Sequence, residues 1–297
     1  MDFMRGISLE GDKKNYLDTV CRDLDPANDL RVIYEDAALK LRTAVMAERL
    51  VWDSQFFGYG IAKLHGIFQL DDPGYRPFVD LTDPLRNFLA RANDAGIRYI
   101  FTQIDPRDLA LLRALGEQGF CMIEPRLYYH RGIHDYEYIK RYPVREARED
   151  DLPFITTVVR DTVNIYDRFH ADPFIAQADA DRLMEEWIHA SFAKKFSDVV
   201  LVPDLPGDPV AVVTGRYLKN EWAQWNLNVS QVVLGASSGQ APGWAVKLLS
   251  ELLYHFEDIG TQHVYLSTQA TNIRIIKVCE HLGIHLGKSE FVLRRVL

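Results

Sequence analysis

The sequence predicts an α/β (α+β) fold built on a mixed sheet. Three observations carry that expectation: β-branched runs bounded by Pro and Gly, apolar residues at helical intervals between those runs, and one strand-helix-strand pattern that occurs in both halves of the chain. In the C-terminal half, an acidic turn at Arg148 to Pro153 leads into a helical pattern over Phe154 to Val163, and a second follows at Asp179 to Phe192. Asp198 to Pro203 and Pro209 to Leu218 read as strands joined by the turn Asp204 to Asp208. Trp222 to Leu234 alternates as a further strand, and Trp244 to Phe256 spaces its apolar residues as a helix that Gly260 ends. His263 to Thr268 is a strand, Ile273 to Leu282 a helix closed by Gly283, and Glu290 to Leu297 a last strand.

The N-terminal half repeats the end of this pattern. Gly96, a strand at Tyr99 to Ile104, a helix at Arg107 to Glu117 and Gly119-Phe120 parallel Gly260, His263 to Thr268, Ile273 to Leu282 and Gly283-Ile284. A β-rich stretch follows each, Cys121 to Tyr129 and His285 to Arg295. The spacing predicts a tandem duplication, with a partial N-terminal copy over 1–142 and a complete one over 143–297.

At 297 residues the chain has room for two such domains, and its 47% apolar and 26% charged residues are globular values. Only the first dozen residues read as a loose tail. A net charge of -8 opposes binding to a phosphate backbone, so no nucleic-acid partner is expected. Cys21, Cys121 and Cys279 lie far apart with no histidine at ligand spacing, so neither a disulfide framework nor a metal site is expected. No run is apolar enough to cross or anchor in a membrane and Met1 to Glu10 has no signal-peptide core, which predicts a soluble, cytoplasmic protein.

The most informative segment is Leu234-Gly-Ala-Ser-Ser-Gly-Gln-Ala-Pro-Gly-Trp-Ala245, a glycine-rich connection from strand to helix. Small residues there uncover backbone N–H groups, and the helix start adds partial positive charge, which suits a pyrophosphate. The same segment can also be an ordinary surface loop. It is neither a Walker A loop nor GxGxxG, because no Gly-Lys-Ser/Thr follows and Gly235, Gly239 and Gly243 are too far apart.

Gln240-Ala241-Pro242-Gly243-Trp244-Ala245 resembles the Q/R-x-x-G-x-G/A acyl-CoA loop of the GNAT superfamily, and Asn272 to Ile284 resembles that family's last helix and its closing L-G-F. A closer resemblance is to the TDP-fucosamine acetyltransferase type, which acylates nucleotide-linked amino sugars. Three segments carry it: Trp52-Asp-Ser-Gln-Phe-Phe-Gly58, Asp167-Arg-Phe-His-Ala-Asp-Pro173 and Trp187-Ile-His-Ala-Ser191.

The resemblance implies a splayed central sheet and direct transfer of an acetyl or longer group, such as 3-hydroxybutanoyl, from acyl-CoA to the amino group of a dTDP-linked deoxy sugar. It places Val232, Val233, Leu234, Gly239, Gln240, Ala241, Gly243, Trp244, Ala245, Asn272 and Cys279 at the acyl-CoA. A backbone N–H near Val233 or Leu234 would polarise the thioester carbonyl. Cys279 stands where the family has a tyrosine acid, and two readings stay open for it: a thiol that protonates departing CoA, or a buried filler. Asp167 or His170 could take the amine proton, and either can equally be a solvated loop residue. Asp167, His170 and Asp172, with Trp222, Gln224, Asn226 and Asn228 on one strand face, would meet the sugar nucleotide. A homodimer is compatible with this reading. The competing expectations are a protein, peptide or small-amine N-acetyltransferase and a non-catalytic acyl-CoA-binding module.

Overall fold

Strands form where β-branched residues run together, and helices where apolar residues fall on one stripe, so each element can bury one side against a neighbour. The structure is a computed structural model that describes residues 2–4, 7–8, 28–37, 41–70, 80–134, 136, 140–239 and 242–297. Gln240, Ala241, Cys21 and most of the first dozen residues lie outside the described residues; within that dozen, β1 (Asp2–Met4) and β2 (Ile7–Ser8) pair antiparallel. The chain divides into two compact units, neither continuous in sequence: Leu17–Pro125 with Ser289–Leu297, and Met1–Tyr16 with Arg126–Lys288.

In the first unit β3 (Val32–Asp36), β4 (Leu41–Arg49) and β5 (Gly60–Gln69) are antiparallel neighbours, with the short helix α1 (Val51–Phe57) between β4 and β5. Helix α2 (Thr82–Asp94) crosses to β6 (Ile97–Ile104), which runs parallel to β5. Helix α3 (Leu109–Glu117) follows. Leu64, Leu85, Phe88, Ile100 and Leu115 are fully buried between α2, α3 and the sheet. Each such side chain contributes about 1.5–3 kcal/mol through burial.

In the second unit β7 (Cys121–Gly132) enters the sheet through Arg126 to Gly132. Then come β8 (Val144–Glu146), α4 (Leu152–Asp161), α5 (Gln177–Phe192), β9 (Val199–Pro203) and β10 (Ala211–Tyr217). The helix α6 (Lys219–Trp225), β11 (Val229–Ser237), α7 (Trp244–Asp258), β12 (His263–Gln269), α8 (Ile273–His281) and β13 (His285–Val296) complete the chain. The strand order in this unit is β7-β12-β11-β10-β9-β8, with β11 and β12 parallel and the other pairs antiparallel. Helices cover both faces. Val213 packs with Leu248, Leu252 and Phe256 on one side, while Val212 packs with Ile155, Val159 and Ile188 on the other. That is why β9 and β10 read as continuous apolar runs rather than alternating ones.

The last strand of each repeat is exchanged. Arg126 to Gly132, at the end of the first repeat, pair with β12 of the second. Phe291 to Val296, at the end of the second, pair with β6 of the first. The repeat itself extends to single residues. Asp108 and Asn272 are the matching N-caps of α3 and α8, their side chains accepting from Leu111 N and Ile275 N. Gly119 and Gly283 are matching positive-φ residues, at 77° and 63°. A Cβ at Gly119 would lie 2.6 Å from Arg295 Nη1, and one at Gly283 would lie 2.7 Å from Arg131 Nη1. Arg131 and Arg295 hold equivalent places on the two exchanged strands, so a side chain at either glycine would have to displace a guanidinium as well as adopt the left-handed backbone that glycine tolerates.

One element differs from the sequence expectation. Trp222 to Leu234 is not a single strand: Lys219–Trp225 is helical, Asn226 closes the helix in the left-handed region with φ 48°, and the strand begins at Val229. The Trp222 indole donates to Val229 O at 2.8 Å, which folds the helix onto the strand start and defeats the period-two pattern. Trp222, Gln224, Asn226 and Asn228 therefore do not form one strand face.

Candidate active site

The centre of the second unit is a fork. β11 pairs with β12 only from Val229↔His263 to Val232↔Leu266. Beyond that point β11 continues to Ser237 backed by β10, and β12 continues to Gln269 backed by β7, with no register between them. Two strand edges thus run on without a ladder between them, the arrangement by which an extended ligand can add to a sheet.

A β-bulge lies just past the last paired residue. On β10, Thr214 pairs with Leu234 and Gly215 pairs with Val232, so Val233 has no register partner there and none in β12. A bulge leaves its extra residue outside the ladder. Leu234, the other expected donor, gives its N–H to Thr214 Oγ1 at 3.2 Å.

β11 leads to the N-terminus of α7. Gly243 is the N-cap with φ 82°, the helix start carries no side-chain cap and its first turn holds no acidic residue. A Cβ built on Gly239 or Gly243 would meet nothing within 4 Å, so the approach is clear. Lys247 Nζ sits 4.6 Å above the Trp244 ring and 5.8 Å from the Tyr142 ring, over which Lys140 Nζ also lies at 5.8 Å. Uncapped N–H groups, the helix dipole and two ammonium groups give this end of α7 the character of an anion site. Trp244 itself is buried in the core and Ala245 is half-buried, so of these residues Gly239 and Gly243 offer exposed backbone.

The loop between α4 and α5 is held by its own acids. Asp167 Oδ1 accepts from Phe169 N and His170 N, while Asp167 Oδ2 meets His170 Nδ1 at 2.6 Å. His170 Nε2 meets Asp181 Oδ1 at 3.2 Å, so both ring nitrogens are engaged. Asp172 is fully buried and accepts from Phe174 N. Burial disfavours charge on His170, but the hydrogen bonds and charges of Asp167 and Asp181 outweigh it and raise its pKa. Phe169 packs edge-on against Trp187, which stacks on Phe196. The polar residues of this loop thus tie it to itself and to α5.

Asn228 is likewise occupied, its N–H donating to Gln262 Oε1 and its amide to Gly260 O. Asn272 accepts from Ile275 N at 3.4 Å, the same capping role that Asp108 has in the first repeat. Cys279 is fully buried among Tyr129, Val278, Leu282 and Ile284. Burial, with the charge of Glu280, pushes its thiol up to about 12. Sequence reasoning passed over Thr214, Asn164 and Gln269. The signal for Thr214 was available, as a hydroxyl in the otherwise apolar run Ala211 to Gly215.

Among the described residues, no group of three or more His, Cys, Asp or Glu could hold a metal ion, and no helix is long and apolar enough to cross a membrane.

No family model and no curated protein matches this sequence. Solved structures do match it in fold. A GCN5-related N-acetyltransferase from Sphaerobacter thermophilus superposes with a TM-score of 0.62 at 13% identity, over 97% of this chain and 86% of that one. One from Kribbella flavida gives 0.53 at 13% identity over 95% and 93%. A tandem GNAT protein from the clavulanic acid biosynthesis pathway gives 0.53 at 10% identity over 97% and 89%. The fold is thus that of the GCN5-related N-acetyltransferases, the tandem arrangement included.

Proposed function

We propose that the chain is an acyl-CoA-dependent N-acyltransferase whose donor site is the fork between β11 and β12. The observation that carries this reading is the conjunction of an unpartnered bulge residue, Val233, with an uncapped and acid-free helix start at Gly243 on the same strand-to-helix connection. An extended pantetheine chain would pair with the edge of β11 that is free beyond Val232, at Val233 and Leu234, while its pyrophosphate meets Gly239 to Ala245.

In this reading the Val233 N–H polarises the thioester carbonyl, because Leu234 N–H is already given to Thr214. The neutral amine attacks the carbonyl carbon, the C–S bond breaks as the proton of the new N–C bond's nitrogen passes to solvent, and CoA leaves as its thiolate. Cys279 is a poor proton source for that thiolate: an acid of pKa about 12 is mismatched to a leaving group of ordinary thiol acidity near 8.5. It serves as core, and the thiolate leaves unassisted and takes up a proton from the bulk buffer after release. His170 is equally unsuited as a base, since both ring nitrogens are engaged. The amine therefore arrives neutral, having lost its proton to solvent.

For the acceptor we propose the amino group of a nucleotide-linked deoxy sugar, on the strength of the sequence segments around Trp52, Asp167 and Trp187. We place the catalytic domain at 143–297 and the partial copy at 1–142. Purified protein, acetyl-CoA and a thiol reporter, tested with dTDP-amino sugars, peptides and simple amines in parallel, decide the question. Release of CoA dependent on the sugar nucleotide supports the full reading. Release with another amine retains the enzyme and replaces the acceptor, and tight acetyl-CoA binding with no release by any amine leaves a binding module.

A further inference from the structure

Thr214 is an anomaly in its strand. Its neighbours Ala211, Val212, Val213 and Gly215 are apolar or small and all are buried, and Thr214 itself has no exposure. A hydroxyl so placed is costly unless bonded. It accepts the Leu234 N–H at the one point where two residues of β11 face a single residue of β10.

The first repeat supplies an internal comparison. β4 and β5 carry the same bulge: Met46 pairs with Gly66, Ala47 with Leu64, and His65 is the extra residue. β5 and β6 also stop pairing at the equivalent place, Leu64↔Thr102. The polar groups, however, are distributed differently. Where the second repeat has Thr214 the first has Met46, which clusters with Ala44 and Phe68. Where the second repeat has apolar Leu266 the first has Thr102, whose hydroxyl donates to Leu64 O at 2.8 Å. The bulge residue itself, His65, is held by Glu48 at 2.8 Å. In the first repeat side chains therefore engage Leu64 O and the His65 ring, whereas in the second the hydroxyl lies on the β10 side of the strand and accepts from the residue next to the bulge.

We infer that Thr214 is the positioning residue for carbonyl polarisation: by taking the Leu234 N–H, its hydroxyl fixes the bulge in the form that leaves the Val233 N–H for the thioester carbonyl. The inference rests on the acyl-CoA reading above. Thr214 touches neither donor nor acceptor and acts through the β11 backbone. Without its oxygen, the Leu234 N–H competes with that of Val233 for the remaining acceptors on β10, and the bulge relaxes towards a form that aims no amide into the fork.

The test is isotope-edited infrared spectroscopy of acetyl-CoA labelled with ¹³C at the thioester carbonyl, bound to the full chain, with affinity measured calorimetrically. Wild type is expected to bind acetyl-CoA and to lower the carbonyl stretch relative to free acetyl-CoA. Thr214→Val, nearly isosteric but without an acceptor, is expected to bind within about threefold of wild type and to lose at least half of that shift. Thr214→Ser is expected to restore it. If Thr214→Val fails to fold, Thr214→Cys, whose sulfur accepts hydrogen bonds weakly, replaces it in the comparison. A full shift in the valine or cysteine variant overturns the role of Thr214 and leaves the donor site standing. Absence of acetyl-CoA binding by wild type removes the donor site, and this inference with it.

Discussion

The Asn164 side chain donates to Gln269 Oε1 at 2.8 Å, which ties the loop after α4 to the free end of β12. Helix α4 lies on the other arm of the fork, with Ile155 and Val159 packed against Leu234 and Ala236. The amide pair therefore spans the fork, and Ile165 and Tyr166, both exposed, follow it directly. Gln269→Ala is expected to lower stability by about 1 kcal/mol and to raise KM for the amine several-fold while the acyl-CoA affinity stays unchanged. Steady-state kinetics beside calorimetry separates the two. A matching fall in acyl-CoA affinity would assign the pair to the donor side instead.

Gly243→Glu is expected to abolish acetyl-CoA binding with the fold retained. The carboxylate enters open space at the start of α7 and neutralises the helix end, and the positive φ adds backbone strain of about 1 kcal/mol. Gly243→Ala carries the same strain without the charge and serves as the control. Calorimetric titration reads both, and equal losses in the two variants would trace the effect to the backbone rather than to an anion site.

Cys279 is expected to be inert. With its thiol held near 12 in the core, it should resist a thiol reagent at neutral pH in the native protein, while exposed Cys121 reacts. Cys279→Ala is expected to cost about 1 kcal/mol of stability and to leave turnover within about twofold. A rate loss of a hundredfold or so, with unchanged acyl-CoA affinity, would restore the thiol as an acid.

His170 makes stability pH-dependent. Its folded pKa is raised above the unfolded value near 6.5, so its contribution is complete below about 6.5 and is lost as pH rises through the folded pKa. His170→Gln should therefore destabilise the chain more at pH 6 than at pH 9. Urea midpoints measured across that range give the comparison, and a pH-independent difference would mean that the ring acts by packing alone.

Deleting Ser289–Leu297 is expected to damage the first unit and spare the second, because Phe291 to Val296 complete the sheet at β6 and Leu293 lies in that unit's core. Hydrogen exchange should show β4 to α3 deprotected, with β9 to β12 still protected. Uniform loss of protection would mean that the two units unfold as one.

The repeat was legible because its markers are local: a glycine that ends a helix and a polar residue that caps one keep their spacing whatever the surrounding packing. The glycine-rich connection was legible for the same reason. Helix α6 was missed because Trp225, Leu227 and Val229 imitate strand alternation, and the contrary signals were the three-residue spacing of Trp222 and Trp225 and Asn226, a residue tolerant of the left-handed turn it makes. The acceptor face drawn from that strand fell with it. The exchange of last strands had no local signature, since Cys121 to Gly132 and His285 to Val296 are equally apt to pair with either repeat, and the choice belongs to the whole fold.

That exchange orders events in time. A chain made from its N-terminus has every residue of β3 to α3 long before Phe291 to Val296 exist, so the first repeat cannot close its sheet until those residues have been made. Strand β6 must wait with an edge unpaired until Phe291 to Val296 have been made. Such an edge invites pairing with other chains, and closing it late over a long loop is slow, which makes the nascent protein a natural client for chaperones that shield strand edges.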